Sequence, residues 1–119
     1  MTASISSEIS IEVTQGQTSL REVKVRIPRG ADLSGADRLV ESCCAREDLV
    51  MTVKRSLGMH EDNVHWHFKK SAGRGTLEIT LFRAEGGISL HVHDNRRGPW
   101  TAAAIRNLKP AIEKGLQPK

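Results

Sequence analysis

The feature that most constrains the fold is a long alternation of apolar and polar residues, which runs from Asp48 to Asn95. Turn-forming residues interrupt the alternation three times, at 58–63, 71–74 and 84–87. Alternation with a period of two is typical of a β-strand that buries one face and exposes the other. The stretch therefore predicts four consecutive strands that form an antiparallel meander.

One face of this predicted meander is almost entirely apolar. A slip of one residue in any strand would turn polar side chains into that face, so the pattern also constrains how the strands pair. We expect this face to form the core and to be covered by helices. Its members are Leu49, Met51, Val53, Leu57, Val64, Trp66, Phe68, Leu77, Ile79, Leu81, Ile88, Leu90 and Val92.

Two further strands and two helices are predicted outside the meander. Segments 8–14 and 20–27 also alternate, and a Gln-Gly-Gln turn between them indicates an N-terminal β-hairpin. Apolar residues recur at helical spacing after Ser34, and again from 100 to 115. Pro110 lies inside the second helix and is expected to kink or split it.

The end of the first helix is the least constrained boundary. Residues 47–57 could continue the helix, but they are rich in β-branched side chains, so we predict that the helix ends near Arg46. Ser34 is expected to cap the helix, with Asp37 at the capping-box position. The predicted fold class is α+β, with a four-stranded antiparallel meander, an N-terminal β-hairpin and two helices packed on one face of the sheet.

Length and composition favour one globular domain. The 119 residues are 38% hydrophobic and 27% charged, and we treat 1–119 as a single domain in which 1–7 are disordered. No apolar run approaches the roughly 20 residues of a membrane span, so we expect no membrane partner. The start, MTASISSEIS, lacks the features of a signal peptide, and the two cysteines are adjacent, at 43 and 44. We therefore expect a cytoplasmic protein without disulfides.

The polar face of the meander carries four of the five histidines. The simplest hairpin registers place its side chains in rows across the sheet, as in any antiparallel ladder. They pair Leu57 with Val64, Lys70 with Gly75, and Arg83 with Ile88. The resulting rows are Lys54–His67–Glu78–His93, Ser56–His65–Thr80–His91 and Thr52–Lys69–Thr76.

Four interpretations of this face are open. The first is an ordinary solvated surface without a specific function. The second is binding of an anionic ligand or nucleic acid, because the net charge is −2 over 1–48 and +6 over 49–119. The third is a metal-dependent or acid–base enzyme that uses His67, Glu78 and His93. The fourth is a homo-oligomer interface at the polar face or at a free edge strand.

We favour a small non-enzymatic binding protein, with no cofactor and no bound metal. The sequence carries no nucleophile elbow, P-loop, dinucleotide fingerprint or CxxC motif. The two His-x-His pairs lie on strands about 10 Å apart, which opposes the binding of one ion by both pairs. The candidate ligand-binding residues are Lys54, His65, His67, Lys69, Arg74, Glu78, His91, His93, Arg96 and Arg97.

Overall fold

The computed structural model describes residues 22–57, 60–71 and 73–116. The segment 8–14 of the predicted hairpin and residues 1–7 lie outside the described residues. The elements in chain order are β1 (Glu22–Arg26), α1 (Ala36–Arg46), β2 (Leu49–Leu57), β3 (His60–Lys70), β4 (Leu77–Phe82), β5 (Gly87–His91), a 3-10 turn (Asp94–Arg96) and α2 (Thr101–Gly115). The fold class is α+β, as predicted.

The strands form one antiparallel sheet in the order β1-β5-β4-β3-β2. Strands β2 to β5 are the predicted meander, and β1 extends it beside β5. Because β1 and β2 lie at opposite edges, the connection that contains α1 crosses the width of the sheet. Helix α2 packs against α1 and β1. Within the described ranges, no helix combines the length and hydrophobicity that a membrane span requires.

The core lies between the apolar face of the sheet and the two helices. Trp66 is fully buried there, as predicted, and its indole N–H donates a 3.0 Å hydrogen bond to Glu41 on α1. Burial of this apolar surface is the main source of folding free energy. The largest other buried side chains are Phe68, Leu77, Ile79, Leu81, Ile88, Leu90, Ile105, Leu108 and Ile112.

The helix boundaries agree with the sequence, but the capping prediction was wrong. Helix α1 ends at Arg46, and β2 begins three residues later. The hydroxyl of Ser34 donates to Asp32 Oδ1 at 2.8 Å instead of capping the helix. The Asp37 carboxylate instead accepts a 2.6 Å bond from Arg83. Helix α2 continues through Pro110, so the expected split does not occur.

A bulge in β2 overturns the predicted pairing of this strand. The register shifts between Met51 and Val53, so that Val53 lies opposite His67 and Lys54 lies opposite Trp66. An extra residue in one strand inverts the faces of everything beyond it. The row that placed Lys54 beside His67 was therefore wrong, because Lys54 points to the helix side of the sheet. Ser56 is displaced in the same way.

The other two registers determine which polar side chains meet. Strands β3 and β4 pair as predicted, with His65 opposite Thr80 and His67 opposite Glu78. Strands β4 and β5 are displaced by two residues from the prediction, and His91 instead of His93 lies opposite Glu78. A displacement of two residues leaves every side chain on its face. The histidine side chains therefore stay on the predicted face of the sheet, although their predicted neighbours on β5 were wrong.

Candidate metal centre

Glu78 is the centre of a cluster of three histidines on the open face of the sheet. It lies on β4, the middle strand, and its side chain is only 15% exposed. His65 Nε2 and His67 Nε2 lie 3.3 and 3.8 Å from its Oε1 atom. His93 Nε2 lies 3.3 Å from Oε2. The prediction that His67, Glu78 and His93 are neighbours is confirmed.

Strand geometry accounts for three of these positions. His65 and His67 are two residues apart on β3, so both point to the open face. Glu78 is paired directly with His67, which makes His65 its diagonal neighbour. Diagonal neighbours on one face are within reach of long side chains. His93 follows the end of β5 and approaches the carboxylate from the other side.

The ligand atoms of this cluster converge on one small volume. The Nε2 atoms of His65 and His67 are 3.1 Å apart, and their rings meet edge to face. Two ligands of a tetrahedral ion, each about 2.1 Å from it, are about 3.4 Å apart. The distances between these nitrogens and the nearer Glu78 oxygen lie close to that value. One ion therefore fits among the three side chains with little movement.

The surroundings of His65 favour the neutral, coordinating form of its ring. Burial lowers the pKa of His65, although the nearby Glu78 carboxylate acts in the opposite direction. The Nδ1 atom lies 2.8 Å from the hydroxyl oxygen of Thr80. If Nδ1 carries the proton and donates it to Thr80, Nε2 keeps its lone pair and faces the cluster. Such a second partner commonly fixes the tautomer of metal-binding histidines.

The remaining histidines of the face occupy different positions. His91 is opposite Glu78 in the register, but its ring packs against His93 with centroids 4.4 Å apart. Among the described residues, only His65, His67 and Glu78 form a group with metal-ligand spacing. His93 is half-exposed and contacts the second carboxylate oxygen. It thus contacts the carboxylate from the more exposed side without belonging to the group of three ligands.

Lys54 is separated from this face by the sheet itself. Its ammonium group lies 2.7 Å from Glu41 and 3.6 Å from Asp37, both on α1. These contacts raise its pKa, chiefly through the hydrogen bond with Glu41. Sequence reasoning missed this network, although acidic residues four apart on one helix face were a visible signal. Lys54 is therefore not part of the histidine face.

The predicted basic turns lie together at one end of the sheet. We define the arginine loops as residues 73–76 and 92–98, which carry Arg74, Arg96 and Arg97. The Thr76 N–H donates to the Arg96 carbonyl at 2.8 Å, and the Trp100 indole N–H donates to the Arg74 carbonyl at 2.9 Å. The first loop leads directly into β4 and ends two residues before Glu78. The second loop contains His93. The loops are thus adjacent to the histidine cluster.

Two other features of the sheet are relevant to binding. An open cavity of about 340 Å³ is lined by Lys24, Phe82, Gly87 and Ser89, among others. It was not predicted, because it depends on the pairing of Gly87 with Phe82. Strand β2 is an edge of the described sheet and exposes Val50 and Met51, the latter expected in the core. The oligomer interface expected at an edge strand stays a prediction.

The chemistry of the cluster is that of a three-ligand site open to solvent. Two imidazoles and one carboxylate form the ligand set of several zinc sites that keep a position for water or substrate. The half-exposed His93 shows that the open side reaches the surface. Comparison of the chain with protein-family models, with curated proteins and with solved structures gives no match.

Proposed function

We propose that the protein binds one divalent transition-metal ion of the zinc class. The ligands are His65 Nε2, His67 Nε2 and one oxygen of Glu78. The observation that carries the proposal is the convergence of these atoms, which all lie within 4.8 Å of one another. Imidazole and carboxylate ligands suit zinc and neighbouring transition metals.

A solvated surface explains this arrangement less well. A surface histidine can point its ring to water, yet three rings here turn toward one carboxylate. The close approach of two imidazole nitrogens needs either a shared proton or a shared ion. Burial keeps His65 neutral over more of the pH range, and only the neutral ring coordinates a metal.

Direct anion binding by the histidine face is also less favourable. The negative charge of Glu78 lies in the middle of the cluster and repels an anion. The predicted contribution of Lys54 is lost, because its ammonium group pairs with acids on α1. Of the predicted residues, the arginine loops and Lys69 still support nucleic-acid binding, and the bulge adds Arg55 opposite His65. A metal ion, in contrast, is attracted by Glu78.

A centre with three protein ligands supports Lewis-acid chemistry. When bound, the ion would hold a water molecule or a substrate oxygen in its remaining position and polarise it. The chain supplies the ligands, the Thr80 hydroxyl that orients His65, and the half-exposed His93. An enzymatic role thus stays within the proposal as metal-assisted chemistry, and the metal site itself is the part to test first.

The test is a zinc titration of chelator-stripped protein in competition with a chromophoric chelator. We expect one ion per chain for the wild type. Glu78→Gln and His67→Ala should each lower the affinity by at least about 100-fold, since even indirect partners of ligands contribute about 10- to 100-fold. His91→Ala is the matched control, because it removes the same ring from the same face without removing a ligand.

Two results would contradict the proposal. The first is the absence of stoichiometric binding by the wild type at micromolar zinc. The second is an equal loss of affinity in His91→Ala and His67→Ala, which would indicate adventitious binding by surface histidines. Far-UV circular dichroism of each variant establishes that the fold is intact before affinities are compared.

A further inference from the structure

We infer that the ligand of this centre carries a phosphate group, which binds the metal ion and the Arg96 guanidinium at the same time. The inference rests on the proposed metal site and names the class of molecule that this site takes. It is carried by the position of the arginine loops, by the charge balance of the centre, and by the reach of a phosphate group.

The arginine loops hold one another in place. A Cβ on Gly75 would approach the backbone of Gly98 to 2.8 Å, and a Cβ on Gly98 would overlap the Arg74 carbonyl. Gly75 also has a φ of 117°, a conformation that side chains disfavour. The backbones therefore pack at a distance that only glycine allows. Together with the hydrogen bond between Thr76 and Arg96, this packing fixes the position of the Arg96 backbone.

The Arg96 side chain contacts the residue that precedes β4, the strand that carries Glu78. Its Nη1 atom is 3.5 Å from the Thr76 hydroxyl, and Thr76 itself is buried. Thr76 immediately precedes β4 and is two residues from Glu78, so the two Cα atoms are at most about 7 Å apart. No described acidic side chain forms an ion pair with Arg96, whereas Arg97 pairs with Asp94.

A phosphate group can join two positively charged groups that lie several ångströms apart. A phosphate oxygen lies about 2.1 Å from a zinc ion, and another lies about 2.8 Å from a guanidinium nitrogen. A phosphate that bridges both groups therefore separates them by about 6 to 7 Å. Arg96 contacts Thr76, two residues from Glu78 along the chain, and lies in the same loop as His93, whose ring contacts the Glu78 carboxylate. In our proposal, one phosphate joins an ion at Glu78 to the Arg96 guanidinium.

The charge of the loaded centre favours a phosphate over a singly charged carboxylate. The ion contributes two positive charges and Glu78 removes one, since both histidines coordinate in their neutral forms. Arg96 and the exposed Lys69 and Arg74 add positive charge at the same end of the sheet. A phosphate dianion balances more of this charge and offers more oxygens to a guanidinium fork.

The experiment uses cobalt-loaded protein, because the visible absorption of Co²⁺ changes when an oxyanion enters its coordination sphere. Inorganic phosphate, phenyl phosphate and acetate are titrated separately into the full chain. We expect both phosphates to alter the spectrum saturably, and acetate to bind at least about tenfold more weakly. Inorganic and phenyl phosphate together distinguish a free phosphate from an ester.

Arg96→Gln should weaken phosphate binding by about tenfold while leaving cobalt affinity unchanged. Arg38→Gln is the matched control, because Arg38 is an exposed arginine on α1, across the sheet from the centre. Cobalt binding without any spectral response to phosphate would overturn this inference and leave the metal site standing. Equal phosphate affinity in Arg96→Gln and Arg38→Gln would also overturn it. Failure of cobalt or zinc to bind would instead refute the metal site.

Discussion

The substitution Trp66→Ala tests the assignment of the two sheet faces. Trp66 is fully buried, and it separates the two histidine ligands along β3 while pointing to the opposite face. Removing a buried tryptophan side chain costs about 3–5 kcal/mol, since the transfer free energy and the cavity both contribute. Domains of this kind are stable by about 5–15 kcal/mol, so the loss is a large share of the total.

The hydrogen bond to Glu41 adds little to this cost. Glu41 keeps its 2.7 Å contact with Lys54, and its side chain is 29% exposed, so its carboxylate stays solvated. Trp66→Phe is therefore the graded control, because it keeps an aromatic ring and loses only the outer part of the side chain. We expect it to cost about 1–2 kcal/mol, between the wild type and Trp66→Ala.

Urea unfolding measures both variants, with far-UV circular dichroism and Trp100 fluorescence as probes. A loss of 3–5 kcal/mol lowers the midpoint by at least about 1 M for ordinary values of the urea slope. If Trp66→Ala does not fold, the Trp66→Phe midpoint decides the question. A cost below about 1 kcal/mol for Trp66→Ala, or no shift for Trp66→Phe, would refute the assignment. Trp66 would then lie on the accessible face.

Three further predictions concern single residues. Lys54→Met should leave zinc affinity unchanged in the competition assay and should change stability by less than about 1 kcal/mol, because Lys54 forms partly exposed ion pairs across the sheet. Burial raises the pKa of Cys44 to about 12, so iodoacetamide at pH 8 should alkylate it slowly in the native protein and rapidly in urea. Mass spectrometry of both samples checks this, and equal rates would contradict it. Because the pKa of His65 is lowered in the folded protein, the unfolded chain binds a proton at His65 more tightly than the folded chain does. The contribution of His65 to the free energy of unfolding of the metal-free protein is therefore complete above pH 6.5 and should decrease below it, as urea curves at several pH values would show.

Alternation in the sequence predicted the faces of β3, β4 and β5 because a wrong face would bury charge. The same reasoning failed for β2. Its sequence alternates whether or not a bulge is present, and nothing near Thr52 marks the extra residue. The helix side could accept Lys54 only because Glu41 and Asp37 lie above it. That compensation comes from another element, so it is invisible in the strand itself.

The sequence predicted part of the candidate site, but the contacts that form the site differ from the predicted ones. The displacement of β4 against β5 moved His93 beyond the end of its strand, yet its ring still reaches Glu78. His65 was placed one row away and joins the cluster diagonally. Strand period determines which residues share a face, whereas side-chain reach and register determine which of them touch. A single sequence indicates which residues share a face, but it does not determine register or side-chain reach.

The metal and anion interpretations of this face began as alternatives, but the geometry makes them depend on one another. Without an ion, Glu78 places a negative charge where an anion would have to bind. With an ion, the same position becomes positive, and Arg96 contacts Thr76, two residues from Glu78 along the chain. Thermodynamic linkage then requires that phosphate raise the affinity for the metal by the same factor by which the metal raises the affinity for phosphate. A face that binds phosphate equally well in the metal-free and metal-loaded states would have no such coupling, and its arginines would act alone.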